Sequence, residues 1–224
     1  MEKFGIKTEF TGNKIKIYGE KRYKSTGHLV IEGDWSNAAF WLCSAAANGT
    51  ELTCTGLNTA SKQGDMAVCE ILTRFGAELE YTEDSVRVLE RKKPLRGILI
   101  DAHDTPDLIP ALAVCAVAAE GETVITGAAR LRLKESDRLE SVSSTVNKLG
   151  GCAHVTEDGM IIKGSRLLGG SVDGCNDHRI VMMAASLSTL CVNEVEITDA
   201  QACEKSYPDF FDDFRHLGGN AVIS

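Results

Sequence analysis

Acids and cations gather in three short stretches of this chain. One reads Lys134-Glu135-Ser136-Asp137-Arg138, a second Asn176-Asp177-His178-Arg179, and a third centres on Lys205, while Asp107 stands apart, directly after Pro106. A carboxylate within hydrogen-bond reach of a reacting proton serves as general acid or base. Guanidinium forks match carboxylates and phosphates in two-point contacts. The residue types therefore suit acid–base chemistry on an anionic substrate. Each also has a plain structural reading. Asp107 fits a first helical turn, where the dipole favours an acid. His178 fits a local hydrogen bonder beside a cap. Arg130, Lys134 and Arg138 are spaced by four, so on one helix they would repel weakly unless an anion drew them together. They could equally be solvated beside Glu135, Asp137 and Glu140. The alternation Arg130-Leu131-Arg132-Leu133 also fits a strand end running into a loop.

What favours function is where these residues recur. Three segments share one plan, the signature of a repeat architecture. They open at Asp34, Asp104 and Asp177, run through an apolar helix into a β-branched strand, and end at the landmarks Gly56, Gly127 and Asp199 with nearly equal spacing. Each opening Asp is a natural helix N-cap, and Pro106 suits a first helical position. Beyond each landmark come a lysine (Lys62, Lys134, Lys205), then an acid (Asp65, Asp137, Asp209) that signals a second helix. That helix ends at Phe75-Gly76, Leu149-Gly150 and Leu217-Gly218. Strand pairs turning at Thr82-Glu83-Asp84 and Thr156-Glu157-Asp158 close the first two units, and NAVIS at 220–224 reads as one closing strand of the third.

The helices after the opening aspartates are apolar nearly all round, which implies burial on every side. The expected fold is α/β, with pseudo-threefold units, parallel helices inside and sheets outside. Three parallel N-termini would then share one face, and such a face attracts anions. Residues 1–19 match only the tail of a unit, as helix end, strand and strand. More sequence is expected upstream, with 19–33 as linker or crossover. The expected domains are 1–33, the tail of a second domain plus crossover, and 34–224, a three-repeat domain.

The chain has 224 residues, 43% of them hydrophobic, and a net charge of −8. An acidic balance argues against nucleic acid or an anionic membrane as partner. None of the eight cysteines forms a Cys-x-x-Cys pair, so no zinc site is expected. A reduced, cytoplasmic setting fits them best.

Four motifs carry a resemblance. RLKESDR at 132–138, NDHR at 176–179, KSYPDFF at 205–211 and GDWSNAAF at 33–40 resemble, in order and spacing, those of the 5-enolpyruvylshikimate-3-phosphate synthase family. The resemblance covers nearly the whole chain. It implies the enolpyruvyl transferase fold, two domains of three βαβαββ units each (an inside-out α/β barrel). It also implies enolpyruvyl transfer from phosphoenolpyruvate to the 5-hydroxyl of shikimate 3-phosphate, without metal or cofactor, in aromatic amino acid and chorismate biosynthesis. By resemblance Asp107 is the general base, Glu135 the acid that protonates the methylene, and Lys134 a relay. Asp107 and Lys134 bind shikimate 3-phosphate, Arg138, Arg179 and Lys205 bind phosphoenolpyruvate, and His178 assists.

Arg130 departs from the pattern, since some members have an asparagine there that contacts shikimate 3-phosphate. The family's N-terminal lysine–serine–arginine group, its Ser-Ser-Gln stretch and the arginine of its other domain have no counterpart in these residues. The chain alone is therefore expected to be inactive or weakly active, with a complementary N-terminal fragment as partner. Alternatives are a non-catalytic anion-binding domain, or the paralogous UDP-N-acetylglucosamine enolpyruvyl transferase, whose reactive-cysteine loop is not found here.

Overall fold

A computed structural model describes residues 1–19 and 22–222, in two compact units, Met1–Glu32 and Gly33–Ser224. In the first unit a short 3-10 turn, Glu2–Phe4, precedes an antiparallel hairpin of β1 (Thr8–Thr11) and β2 (Lys14–Ile17). The expected helix end, strand and strand are thus present. No regular element occurs among the described residues from 19 to 33.

The second unit holds three repeats. The first comprises α1 (Trp35–Asn48), β3 (Leu52–Thr55), α2 (Val68–Phe75), β4 (Leu79–Tyr81) and β5 (Ser85–Val88). The second is a full βαβαββ unit: β6 (Leu99–Asp101), α3 (Ile109–Ala118), β7 (Glu122–Thr126), α4 (Arg138–Lys148), β8 (Cys152–Val155) and β9 (Met160–Lys163). The third has β10 (Gly170–Asp173), α5 (His178–Ser188), β11 (Val195–Thr198) and α6 (Phe210–His216). NAVIS does not close it: residues 220–222 form no strand, and Ile223 and Ser224 lie outside the described residues.

Sheet order repeats with the sequence. Strands β6–β7 and β10–β11 pair in parallel, with α3 and α5 as the crossover connections that parallel neighbours need. The hairpins β4–β5 and β8–β9 dock antiparallel on β3 and β7, giving orders β3-β5-β4 and β6-β7-β9-β8. The landmarks share one backbone state: Gly56, Gly127 and Asp199 have φ of 77°, 67° and 53°. At Gly127 a Cβ would also meet Asp101 Oδ1 at 2.4 Å, so glycine is required there twice over.

The helices α1, α3 and α5 pack against one another and form the core. Ile109 through Val117 are all buried, which explains a helix with no polar face. Side-chain contacts fix their direction. At one end Arg179 of α5 donates to Ser36 Oγ of α1 (3.1 Å) and to the Asp107 carbonyl ahead of α3 (3.2 Å). Further along, Cys115 Sγ donates to the Cys43 carbonyl, and Asn48 reaches Thr189 at the opposite end. The three helices therefore run parallel, N-termini together.

Capping follows the expected pattern in two repeats and breaks in one. Asp34 accepts from the Ser36 N–H and Asp177 from the Arg179 N–H, each two residues on. The residue two beyond Asp104 is Pro106, which has no N–H to give. Asp104 therefore caps nothing, and the chain enters α3 through a 3-10 turn, Pro106–Leu108, behind Thr105. The 130–133 stretch is not a strand end either. It lies in a 3-10 turn, Ala129–Leu133, that stops at an extended Lys134 before Asp137 caps α4.

Leu112, fully buried at the centre of α3, tests this packing. Leu112→Ala should cost about 2–5 kcal/mol, mostly as an unfilled cavity. Urea unfolding should show a lower midpoint with an unchanged slope.

Candidate active site

The parallel N-termini lay a rim on which four loops meet, and one guanidinium ties them. Arg138, the first residue of α4, has a side chain only 1% exposed. Its Nη1 donates to Asp107 Oδ1 at 2.7 Å, and its Nε and Nη2 fork onto Asp177 at 2.8 and 3.1 Å. Nη2 also donates to Glu135. All faces of the fork are thus occupied by carboxylates from the second and third repeats. A buried cation of this kind requires such partners, because an unpaired one would carry a desolvation cost of several kcal/mol.

Asp177 is wholly buried. Burial pushes its carboxyl up, but the hydrogen bonds and charge of Arg138, with the Arg179 N–H and the Ser136 hydroxyl, hold it below the usual range. Asp107 behaves alike: half-burial raises it, and Lys134, Arg179 and Arg138 outweigh that and lower it. Lys134 Nζ stands 3.0 Å from Asp107 Oδ1. A third acid, Asp65, shows the opposite balance. Burial holds its carboxyl up, aided by Asp107 and Asp34 and opposed by Arg179.

His178 follows the buried cap. Burial first, then the charge of Arg179, lowers its pKa, against Glu135 and Asp177. Lys205 is exposed and donates to the carbonyl and to Oδ1 of Asn176 (2.9 Å to the latter). Asn176 and Cys175 both have positive φ, 49° and 54°, in the turn that aims this carbonyl outward. Of the residues singled out from the sequence as site candidates, Asp107, Lys134, Glu135, Arg138, His178 and Arg179 gather in this cluster, and Lys205 is tied to Asn176, the neighbour of Asp177. Arg130 does not join the cluster; it is exposed on its 3-10 turn.

Several members escaped sequence reading. Asp177 read only as a cap, yet it is the main partner of Arg138. Ser36 holds the Arg179 fork, Ser136 donates to Asp177 at 3.0 Å, and Asn176 holds Lys205. The shared offset was the available signal: Ser36 and Arg179 each lie two residues beyond a capping Asp. Glu135, Asp177 and His178 place ligand-type atoms within 4.8 Å of one another, among the described residues. They suit a cation poorly, since Arg138 already occupies both oxygens of Asp177 and Arg179 adds positive charge.

The cluster is an open rim. A groove of about 550 Å³, lined by Trp41, Leu52, Leu57 and Tyr207, runs along β3 and contains none of these side chains. Cations held by fixed partners at three helix N-termini give a surface suited to phosphate and carboxylate.

The ion pairs generate a pH dependence. Asp177 and Asp107 have folded-state pKa values below the ~3.9 of an unfolded aspartate. Their stabilisation is fully present above that value and is lost as pH falls through the lower folded values. Asp177→Asn should cost about 3–5 kcal/mol at pH 7, because it leaves Arg138 short of its charge partner. That deficit should shrink steadily below pH ~4 in urea titrations. A deficit constant with pH would assign the effect to packing rather than charge.

Comparison with known proteins shows what the chain as a whole resembles. The chain is 41% identical over 222 residues to the 3-phosphoshikimate 1-carboxyvinyltransferase of Clostridium acetobutylicum, covering 98% of this chain and 50% of that one. It is 43% identical over 222 residues to the enzyme of that name from Clostridium perfringens, with 98% and 51% covered. The chain thus spans about half the length of the curated relatives it matches. Among solved structures, EPSP synthase from Acinetobacter baumannii superposes with a TM-score of 0.85 at 28% identity, over 97% of this chain and 53% of that one. The enolpyruvyl transferase NikO from Streptomyces tendae, at 22% identity and a TM-score of 0.72, shares the fold. Residues 1–214 match the family described as EPSP synthase (3-phosphoshikimate 1-carboxyvinyltransferase), and the chain belongs to that family.

Proposed function

We propose that this chain supplies the C-terminal catalytic and anion-binding half of a 3-phosphoshikimate 1-carboxyvinyltransferase. The reaction is transfer of the enolpyruvyl group of phosphoenolpyruvate to the 5-hydroxyl of shikimate 3-phosphate, in the cytoplasm. The observation that carries this reading is the Lys134–Asp107–Arg138 contact on a rim of parallel helix N-termini. It supports this reading because the Asp107 carboxylate lies between two cations of a kind that suits an anionic substrate.

In this reading Asp107 accepts the hydroxyl proton as the oxygen adds to C2 of phosphoenolpyruvate. Its lowered pKa keeps it ionised. Lys134, in contact with both of its oxygens, orients it and relays the proton onward. Glu135 protonates the methylene carbon. Arg179 and Lys205 hold the phosphate and carboxylate of the donor, and Arg138 joins them once Glu135 leaves its guanidinium. Phosphate then departs from the tetrahedral intermediate as the methyl carbon gives up a proton. Gly33–Ser224 acts as the three-repeat catalytic domain, and residues 1–32 as the end of a companion domain with its crossover. Lids and second domains complete such sites by excluding water. An open rim therefore calls for the half of its relatives that this chain does not span.

Phosphate release from phosphoenolpyruvate plus shikimate 3-phosphate tests the proposal. The chain alone should release little or none. Mixing it with the separately expressed N-terminal half of a clostridial relative should restore release, and Asp107→Ala should abolish it. No release on mixing, with both halves shown to be folded, would leave only an anion-binding domain.

A further inference from the structure

The proposed reaction poses a problem at Glu135. In the structure its carboxylate is paired with the Arg138 guanidinium through Oε2. To protonate a carbon it must first acquire a proton, and Lys134 is turned toward Asp107. Its other oxygen, Oε1, faces the imidazole of His178, with Nδ1 3.7 Å away.

That nitrogen is unusual in the molecule. His178 is 93% buried (7% exposed), and its Nδ1 is buried without a hydrogen-bond partner among the described residues, whereas Nε2 is not so stranded. Buried polar atoms are nearly always paired, and each exception asks for an explanation. Asp177 Oδ1 lies 3.9 Å off, too far for a bond and already committed to Arg138 and the Arg179 N–H. Glu135, with a side chain 43% exposed, is the neighbour free to move the remaining distance.

We infer that His178 is a positioning residue that charges Glu135 with its proton. The inference rests on the transferase reading for the role of Glu135. In the step, the Nδ1–H bond breaks and its proton passes to Glu135 Oε1, while Nε2 takes a proton from solvent. The ring goes from one neutral tautomer to the other, and Glu135 changes from carboxylate to acid. Losing its charge, Glu135 releases the Arg138 fork to an incoming anion. Acid formation and donor binding are thereby linked through one side chain. The surroundings favour the neutral ring: burial, then Arg179 and Arg138, oppose its charging, against Glu135 and Asp177.

The test needs no substrate, so its failure is separate from failure of the phosphate-release assay. The probe is ¹⁵N-histidine NMR of this chain, which has five histidines, of which His28, His103, His154 and His216 serve as internal controls. The neutral form of His178 should be the Nδ1–H tautomer and should charge below the ~6.5 of a free histidine. In Glu135→Gln, whose exposed side chain can change without unfolding the domain, the His178 midpoint should fall further, by roughly half a unit or more, because a favourable charge is gone. The control signals should stay in place. An Nε2–H tautomer, or a midpoint indifferent to Glu135→Gln, would overturn the relay. So would a saturable shift of Nδ1 on adding zinc, which would make the cluster a metal site instead.

Discussion

Everything on the rim depends on one buried cation. Arg138 begins α4 and is almost wholly enclosed, so its guanidinium must find acids within the fold. It finds Asp177 at the start of α5, Asp107 ahead of α3, and Glu135 one turn back. These contacts fix the register between the second and third repeats at the end where the helix N-termini meet. They also decide which acids are free. Asp177 is saturated and structural. Asp107 shares Oδ1 between Arg138 and Lys134 and gives Oδ2 to Lys134 alone, and Glu135 bonds Arg138 at an exposed position. A lysine at 138 would carry the same charge but lacks the planar fork that bonds several acids at once.

The repeats explain why a reactive rim arises at all. Packing three apolar helices in parallel buries their sides and gathers their unsatisfied N–H groups at one end. In two repeats an aspartate satisfies the N–H of the second helical residue, two positions beyond it. In the second repeat Pro106 removes that N–H, and no cap bond forms at Asp104. The acid of this repeat instead lies one residue beyond the proline, at Asp107, where no cap bond claims it and Lys134 and Arg138 can reach it. The departure from symmetry thus coincides with the proposed base.

The architecture was legible from the sequence because its cues are local and repeated. Opening aspartates, apolar runs, landmark glycines and the turns at 82–84 and 156–158 each recur at matching intervals, so weak signals reinforce one another. Asp199 was legible only by its place, since an aspartate at φ 53° does by position what glycine does elsewhere. What stayed hidden is side-chain partnership across repeats. The Asp177–Arg138 fork joins residues 39 apart, and nothing in either stretch says that the cap is shared. Ser36 reads as a helix residue until Arg179, 143 positions on, is seen to donate to it. The 3-10 turn over 129–133 escaped for another reason: alternating Arg and Leu suits a strand, yet the Ala128 carbonyl takes the Leu131 N–H and curls the chain.

The same geometry bears on why a half-length chain can hold its site in shape. The residues proposed to do chemistry are positioned by contacts internal to Gly33–Ser224: Lys134 on Asp107, Lys205 on Asn176, Arg179 on Ser36 and the Asp107 carbonyl. None of these bonds needs a ligand to form. Arg179 and Lys205 are therefore pre-aimed cations, and their ordering entropy is met by the fold rather than at the moment of binding. Binding must still displace something, because Arg138 and Lys134 reach an anion only by loosening their grip on Glu135 and Asp107. An anion strong enough to compete for Arg138 would free Glu135 as it binds, since Arg138 is the guanidinium that holds it. A cluster built in this way is neutralised by its own acids, and its cations come free only against a competing anion.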